Sequence, residues 1–175
     1  MNNVILIGFM GSGKTCVGRR LSYRLQRTMI DTDKQIEKQQ GKTITEIFEE
    51  QGEPAFRDME TACLQEILET CHNQVISSGG GLPLREKNRE LLGKIGCVVY
   101  LRVTADTVYQ RLKDDTTRPL LQGPNPQEKI AALLSERVEI YQAAADVIVD
   151  VDEKNCVEIT DEIEEAIKHY ETISH

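Results

Sequence analysis

The residues best equipped for chemistry begin at Gly8 to Thr15, GFMGSGKT, directly after the apolar run Val4, Ile5, Leu6, Ile7. A G-x-x-x-x-G-K-[ST] pattern set between a buried-strand signal and a helical stretch is a phosphate loop. Glycines 8, 11 and 13 let the backbone aim several N–H groups into one concavity, and the following helix adds the positive end of its dipole. In such a loop Lys14 reaches the β- and γ-phosphates, and the Thr15 hydroxyl can ligate magnesium. The plainer alternative is a glycine-rich turn carrying a solvated lysine.

Further candidates follow in chain order. Asp31 and Asp33 come after a short strand signal and can face different ligands, although Asp33 also stands where a helix cap would be needed. Arg57 and Glu60 lie one helical turn apart, beside the apolar stripe Phe56, Met59, Cys63, Ile67, and are open to reading as an exposed ion pair. The strand signal Gln74–Ser77 runs into Gly79, Gly80 and Gly81, a flexible turn or a place where backbone approaches substrate closely. Arg111 sits on the helical stretch through Val108 and Leu112. Arg137 falls on the same stripe as Ile130, Leu133, Leu134 and Tyr141, so its guanidinium either snorkels to water or meets an anion. From Asp114 to Pro126 periodicity is lost in DDTTRPLLQGPNP, a length suited to a lid over a site.

These groups need a frame. Five apolar strand signals, at 4–7, 28–30, 74–77, 97–101 and 146–150, alternate with helical stretches, the pattern of a parallel sheet covered on both faces. The helices run from Cys16 to Arg27, from Lys34 to Gln40, through a capping box at Thr43 and Glu46 closed by Gly52, and from Pro54 to about residue 70. In a parallel sheet, the glycine loop, Asp31 with Asp33, and the triple glycine share one edge, because each follows a strand's C-terminal end.

Composition narrows the classes. The chain has 175 residues, 39% hydrophobic and 29% charged, enough for one domain with a substantial core. Its 21 basic and 29 acidic residues give a net charge of −8, which disfavours a nucleic-acid surface. Any anion must therefore be held by individually placed basic groups. No stretch has the look of a signal peptide or a membrane span, and the five cysteines, at 16, 63, 71, 97 and 156, lack C-x-x-C spacing. Free thiols in a cytoplasmic protein, with no metal cluster of cysteines, are expected.

Taken in order, GFMGSGKT, Asp31-Thr-Asp33, Gly52-Glu53 with Phe56-Arg57, Gly79-Gly80-Gly81, Arg118-Pro119-Leu120-Leu121, and Arg137 with Tyr141 resemble the shikimate kinase family over nearly the whole chain. The resemblance implies an α/β three-layer sandwich of the P-loop kinase type, with a five-stranded parallel sheet in the order 2-3-1-4-5. It implies one domain over residues 1–175, with a substrate-binding helical insert near 33–62 and a lid near 113–126. The implied reaction is ATP-dependent phosphorylation of the 3-hydroxyl of shikimate, with Mg2+, by a monomer that has no nucleic-acid or membrane partner. On this reading Lys14, Asp33 and Arg118 are catalytic, Asp33 also binding the shikimate hydroxyls and taking the reacting proton. Gly11, Ser12, Gly13, Lys14, Thr15, Cys16, Arg111, Arg118 and Asn155 bind the nucleotide, with Arg111 stacked on adenine. Arg57 and Arg137 hold the carboxylate while Gly79, Gly80 and Gly81 line the ring. Thr15 ligates the metal, with Asp31 and Ser77 supporting it through water. Two features depart from the family pattern. Asp152-Glu153-Lys154-Asn155 stands where the adenine loop often has arginine and proline, and no apolar strand ends in the acidic residue usual for metal support. Another small-metabolite kinase, such as a gluconate kinase, and a nucleotide-binding module with decayed activity are the alternatives.

Overall fold

The structure, a computed structural model, describes residues 3–117 and 122–173. In chain order the elements are β1 (Asn3–Ile7), α1 (Lys14–Leu25), β2 (Met29–Asp31), α2 (Thr32–Gln40), α3 (Ile44–Thr70), β3 (Val75–Ser77), a 3-10 turn (Leu82–Leu84), α4 (Glu86–Ile95), β4 (Gly96–Arg102), α5 (Ala105–Leu112), α6 (Pro126–Ala144), β5 (Val147–Asp150) and α7 (Cys156–Ile173). The strands form one parallel sheet, as the strand signals predict, in the order β2-β3-β1-β4-β5 that the family resemblance implies. Arg118 and the rest of Arg118-Pro119-Leu120-Leu121 lie outside the described residues, so the expected lid is seen only at its flanks.

The central strand explains why the run after Asn3 is unbroken in its apolarity. Val4 to Ile7 are at most 1% exposed, because β1 pairs on both edges and is covered on both faces. Its end delivers the glycine loop. Gly13 adopts φ 95° as the residue before α1, a left-handed conformation that glycine takes without steric cost.

At the sheet edge the expectation needs refinement. The chain after β2 is not extended: α2 begins at Thr32, so Asp31 stays on the strand end while Asp33 enters the first helical turn. The helix cap is Asp31, whose carboxylate accepts from Lys34 N at 3.1 Å, leaving Asp33 uncommitted to capping. The Thr43–Glu46 capping box is present, and Gly52, at φ 82° and ψ 168°, breaks α3 just before Pro54. The long helix is thus two helical segments, as the turn residues foretell.

Buried polar residues tie these layers together. Asn88, fully buried on α4, donates to Leu82 O at 2.9 Å and accepts from Thr61 Oγ1 on α3 at 2.7 Å. Thr32 Oγ1 accepts from Gly79 N at 3.1 Å. The segment after β3 is therefore held to α2, α3 and α4 by hydrogen bonds that would be costly to leave unmade in a dry interior.

Candidate active site

Parallel register assembles the first part of the site. Asp31 pairs with Ser77, and Ser77 with Leu6, so the ends of β2, β3 and β1 lie side by side. They open into a cleft of about 370 Å³ lined by residues that include Lys14, Thr15, Asp31, Asp33 and Ser77. Gly11, Gly13, Cys16, Gly79 and Gly80 are also on its walls. Most of the predicted phosphate, metal and acceptor groups thus share one space.

The phosphate loop closes on itself. Lys14 Nζ donates to Gly8 O at 2.7 Å and to Phe9 O at 3.0 Å, holding the ammonium at the loop's mouth. Ser12 is completely buried, and its hydroxyl has no hydrogen-bond partner among the described residues. Arg111 Nη1 donates to Gly11 O at 2.9 Å and its Nη2 to Val151 O at 3.3 Å, bridging the loop to the segment after β5. Asn155, expected on the nucleotide side, uses its Oδ1 to accept from Val157 N at 2.9 Å and Glu158 N at 3.1 Å, where α7 begins. Its carbonyl is engaged as a helix cap.

Asp33 is half-buried, and its Oδ1 is shielded from solvent with no hydrogen-bond partner among the described residues. Burial and then the charge of Asp31 push its carboxyl above the usual carboxylate range, against the pull of Lys14 and Arg57. A buried carboxylate oxygen without a donor is costly unless a ligand supplies one. The triple glycine makes room for it: a Cβ at Gly79 would stand 2.6 Å from Asp33 Oδ1, and one at Gly81 would stand 2.6 Å from Arg57 Cζ. Close approach of side chains, rather than flexibility, is what glycine provides at these two positions.

Arg57 is no loose surface ion pair. Its Nη1 donates to Glu60 at 2.7 Å and its Nη2 to Glu53 at 3.0 Å, and its side chain is 14% exposed. Burial works against its charge, but Glu60 and Glu53 outweigh burial and hold the guanidinium above its ordinary value. Glu60 itself is fully buried, and desolvation pushes it up to about 7 despite the opposing pull of Arg57. Arg137, which like Arg57 does not line the cleft, is half-buried with its guanidinium 5.7 Å from the centre of the Phe9 ring. Tyr141, one turn on, donates to Gly80 O at 2.6 Å, and burial raises its hydroxyl above the ordinary value against the pull of the Arg137 charge.

Sequence reasoning named Glu60 only as half of a surface ion pair and Tyr141 only beside Arg137, gave neither a role in the site, and missed Thr32 and Asn88. For Tyr141 the i, i+4 spacing from Arg137 was a usable signal, and for Glu60 the i, i+3 spacing from Arg57 was another. Thr32 and Asn88 carry none, since Thr32 meets the distant Gly79 N and Asn88 the Thr61 hydroxyl of another helix. Arg102, which stands where an acidic strand end would support a metal, pairs outward with Asp150 at 2.5 and 2.8 Å.

A family model described as shikimate kinase matches residues 10–168. A shikimate kinase of Thermodesulfovibrio yellowstonii is 41% identical over 175 residues, covering 100% of this chain and 98% of the relative. Among solved structures, the shikimate kinase from Acinetobacter baumannii in complex with shikimate superposes with a TM-score of 0.90 at 37% identity, covering 97% of this chain and 94% of that one. The shikimate kinase from Aquifex aeolicus gives 0.83 at 37% identity, covering 95% and 96%.

Proposed function

Since this chain belongs to the shikimate kinase family and transfers phosphate from ATP to shikimate, we propose that Asp33 takes the proton of the 3-hydroxyl as the phosphoryl group arrives. The observation that carries this assignment is the solvent-shielded Oδ1 of Asp33, without a hydrogen-bond partner among the described residues and in the same cleft as Lys14. A shikimate hydroxyl donating to that oxygen would satisfy it and align the nucleophile.

The remaining roles follow from charge and shape. Backbone N–H groups of Gly11 to Thr15 and the Lys14 ammonium hold the ATP phosphates, with Ser12 in the loop and Cys16 in the first turn of α1. Arg111, already bridging Gly11 and Val151, flanks the adenine, with Asn155 at the margin. Arg57 and Arg137 grip the shikimate carboxylate, and the backbone of Gly79, Gly80 and Gly81 lies against its ring. Forked guanidinium groups suit a carboxylate, and the two glutamates keep Arg57 pre-aimed. Arg118, on the proposed lid at 113–126, neutralises the phosphates on closure and helps keep water from accepting the phosphoryl group.

Magnesium fits the donors present: Thr15, Asp31 and Ser77 offer oxygen only and share the cleft wall, Asp31 and Ser77 as register partners. Thr15 would hold the ion directly, with Asp31 and Ser77 acting through water. When bound, it neutralises phosphate charge during transfer. One domain with a substrate-binding insert at 33–62, working as a cytoplasmic monomer, completes the proposal. The five cysteines are all free thiols, which suits a reducing compartment.

A coupled assay of ADP formation tests the whole reading. Purified protein with ATP and Mg2+ should turn over with shikimate and not with gluconate. No rate above background with shikimate, or an equal rate with gluconate, overturns it.

A further inference from the structure

Cys16 and Cys156, 140 positions apart in sequence, bring their sulfur atoms to 3.0 Å. Cys16 is exposed on the first turn of α1 and lines the phosphate cleft; Cys156 is partly exposed and opens α7. Cys63 and Cys97, by contrast, are buried. The proposed mechanism uses neither sulfur of the touching pair for chemistry. Two helix starts, one under the phosphates and one after the segment that flanks the adenine, thus meet through a pair of accessible thiols.

We propose that Cys16 and Cys156 form a reversible redox-modification site that, when oxidised to a disulfide, weakens ATP binding. The co-reactant is a low-molecular-weight disulfide such as oxidised glutathione. The sulfur of Cys16 attacks one sulfur of that oxidant, breaking its S–S bond; one thiol leaves and a mixed disulfide remains on Cys16. The sulfur of Cys156 then attacks the Cys16 sulfur, forming the Cys16–Cys156 bond and releasing the second thiol. The two thiol protons of the protein end on the two released thiols, and two electrons pass from protein to oxidant. About 1 Å of approach separates the observed contact from a bonded pair.

The effect on nucleotide follows from what the pair joins. Arg111 already ties Gly11 to Val151 by hydrogen bonds that can open. A covalent bond between the starts of α1 and α7 adds a tie to the same two segments that cannot, and it fixes residues 152–155 against the phosphate loop. The base needs that margin to enter. This consequence rests on the nucleotide placement proposed above, whereas formation of the bond does not.

The test uses the full chain, fully reduced and then equilibrated in glutathione buffers of increasing oxidised fraction. Non-reducing peptide mapping should show a Cys16–Cys156 linked peptide that dithiothreitol removes. Calorimetry should give a Kd for ATP about fivefold or more above that of the reduced protein, restored on reduction. Cys156→Ser should give no linked peptide and should accumulate glutathione on Cys16, trapping the intermediate. Complete oxidation without the linked peptide refutes the site; a linked peptide with unchanged Kd for ATP refutes its effect. If the reduced protein binds ATP but shows no rate with shikimate, the functional assignment fails while the mapping and calorimetry still decide this proposal.

Discussion

Gly79→Ala isolates the acceptor half of the site with a single methyl group. The added Cβ would stand 2.6 Å from Asp33 Oδ1, 3.3 Å from Asp33 Cγ and 3.1 Å from Glu60 Oε1. An unstrained carbon–oxygen contact needs roughly 3.3 Å, so the Asp33 carboxylate must retreat by roughly 0.7 Å. Misplacing a reacting group by about 1 Å can cost about a hundredfold, so a loss of about 30-fold in kcat/KM for shikimate is expected. That corresponds to about 2 kcal/mol of the barrier. The ATP side is untouched by the methyl, so the calorimetric Kd for ATP should stay within about twofold; crowding in the interior should lower Tm by a few degrees. Gly80→Ala is the comparison, since its Cβ would find nothing nearer than Gly8 O at 3.5 Å. It should lose less than Gly79→Ala. A Gly79→Ala enzyme within about threefold of native kcat/KM, or one whose loss lies in ATP binding, would refute the placement of Asp33 against this backbone.

Other substitutions probe neighbouring groups. Asp33→Asn should lower kcat about a hundredfold or more with the fold intact by circular dichroism, and native turnover would remove Asp33 from proton transfer. Arg57→Ala should raise the Kd for shikimate by roughly 2 to 5 kcal/mol in free-energy terms, measured by calorimetry, and unchanged affinity would return Arg57 to a structural role. Ionised Asp33 and Glu60 are both needed, one to accept a proton and one to brace Arg57, so kcat/KM should rise with pH towards a plateau above about 7. A profile flat from pH 5 to 8 counts against both. Stability runs the other way. Glu60 is raised from 4.5 to about 7 by burial, so its favourable contribution is complete below the ordinary carboxylate range and is lost as pH rises through about 7. The loss is on the order of 3 kcal/mol. Glu60→Gln should therefore flatten the fall in Tm between pH 5 and 8, and an identical fall in both proteins would show that Glu60 does not titrate there.

The framework was legible because each of its signals is local. The apolar run Val4–Ile7 flows into GFMGSGKT, and the Thr43–Glu46 box and Gly52 each mark a helix boundary within a few residues of sequence. What could not be read depends on who meets whom across the fold. Arg57 and Glu60 look like any helix-surface pair until burial shows Glu60 fully enclosed beside Gly79. The choice between Asp31 and Asp33 as helix cap depended on a start at Thr32, two residues earlier than the sequence pattern suggests. Asn155 resembles a ligand residue by position, and only the N–H groups of Val157 and Glu158 show its capping use. Contact between Cys16 and Cys156 left no trace in spacing at all.

The pairing of Asp31 with Ser77 also bears on quality control. β2 is a three-residue edge strand, joined to the sheet through β3 alone and only partly buried, which makes it the sheet's least secured member. A slip of one residue there would turn Asp31 to the opposite face while leaving the central strands and most of the core in place. Such a molecule would look native to far-UV spectroscopy and still fail at phosphoryl transfer. In preparations of this protein, the fraction of active sites accordingly reports whether β2 has found its register.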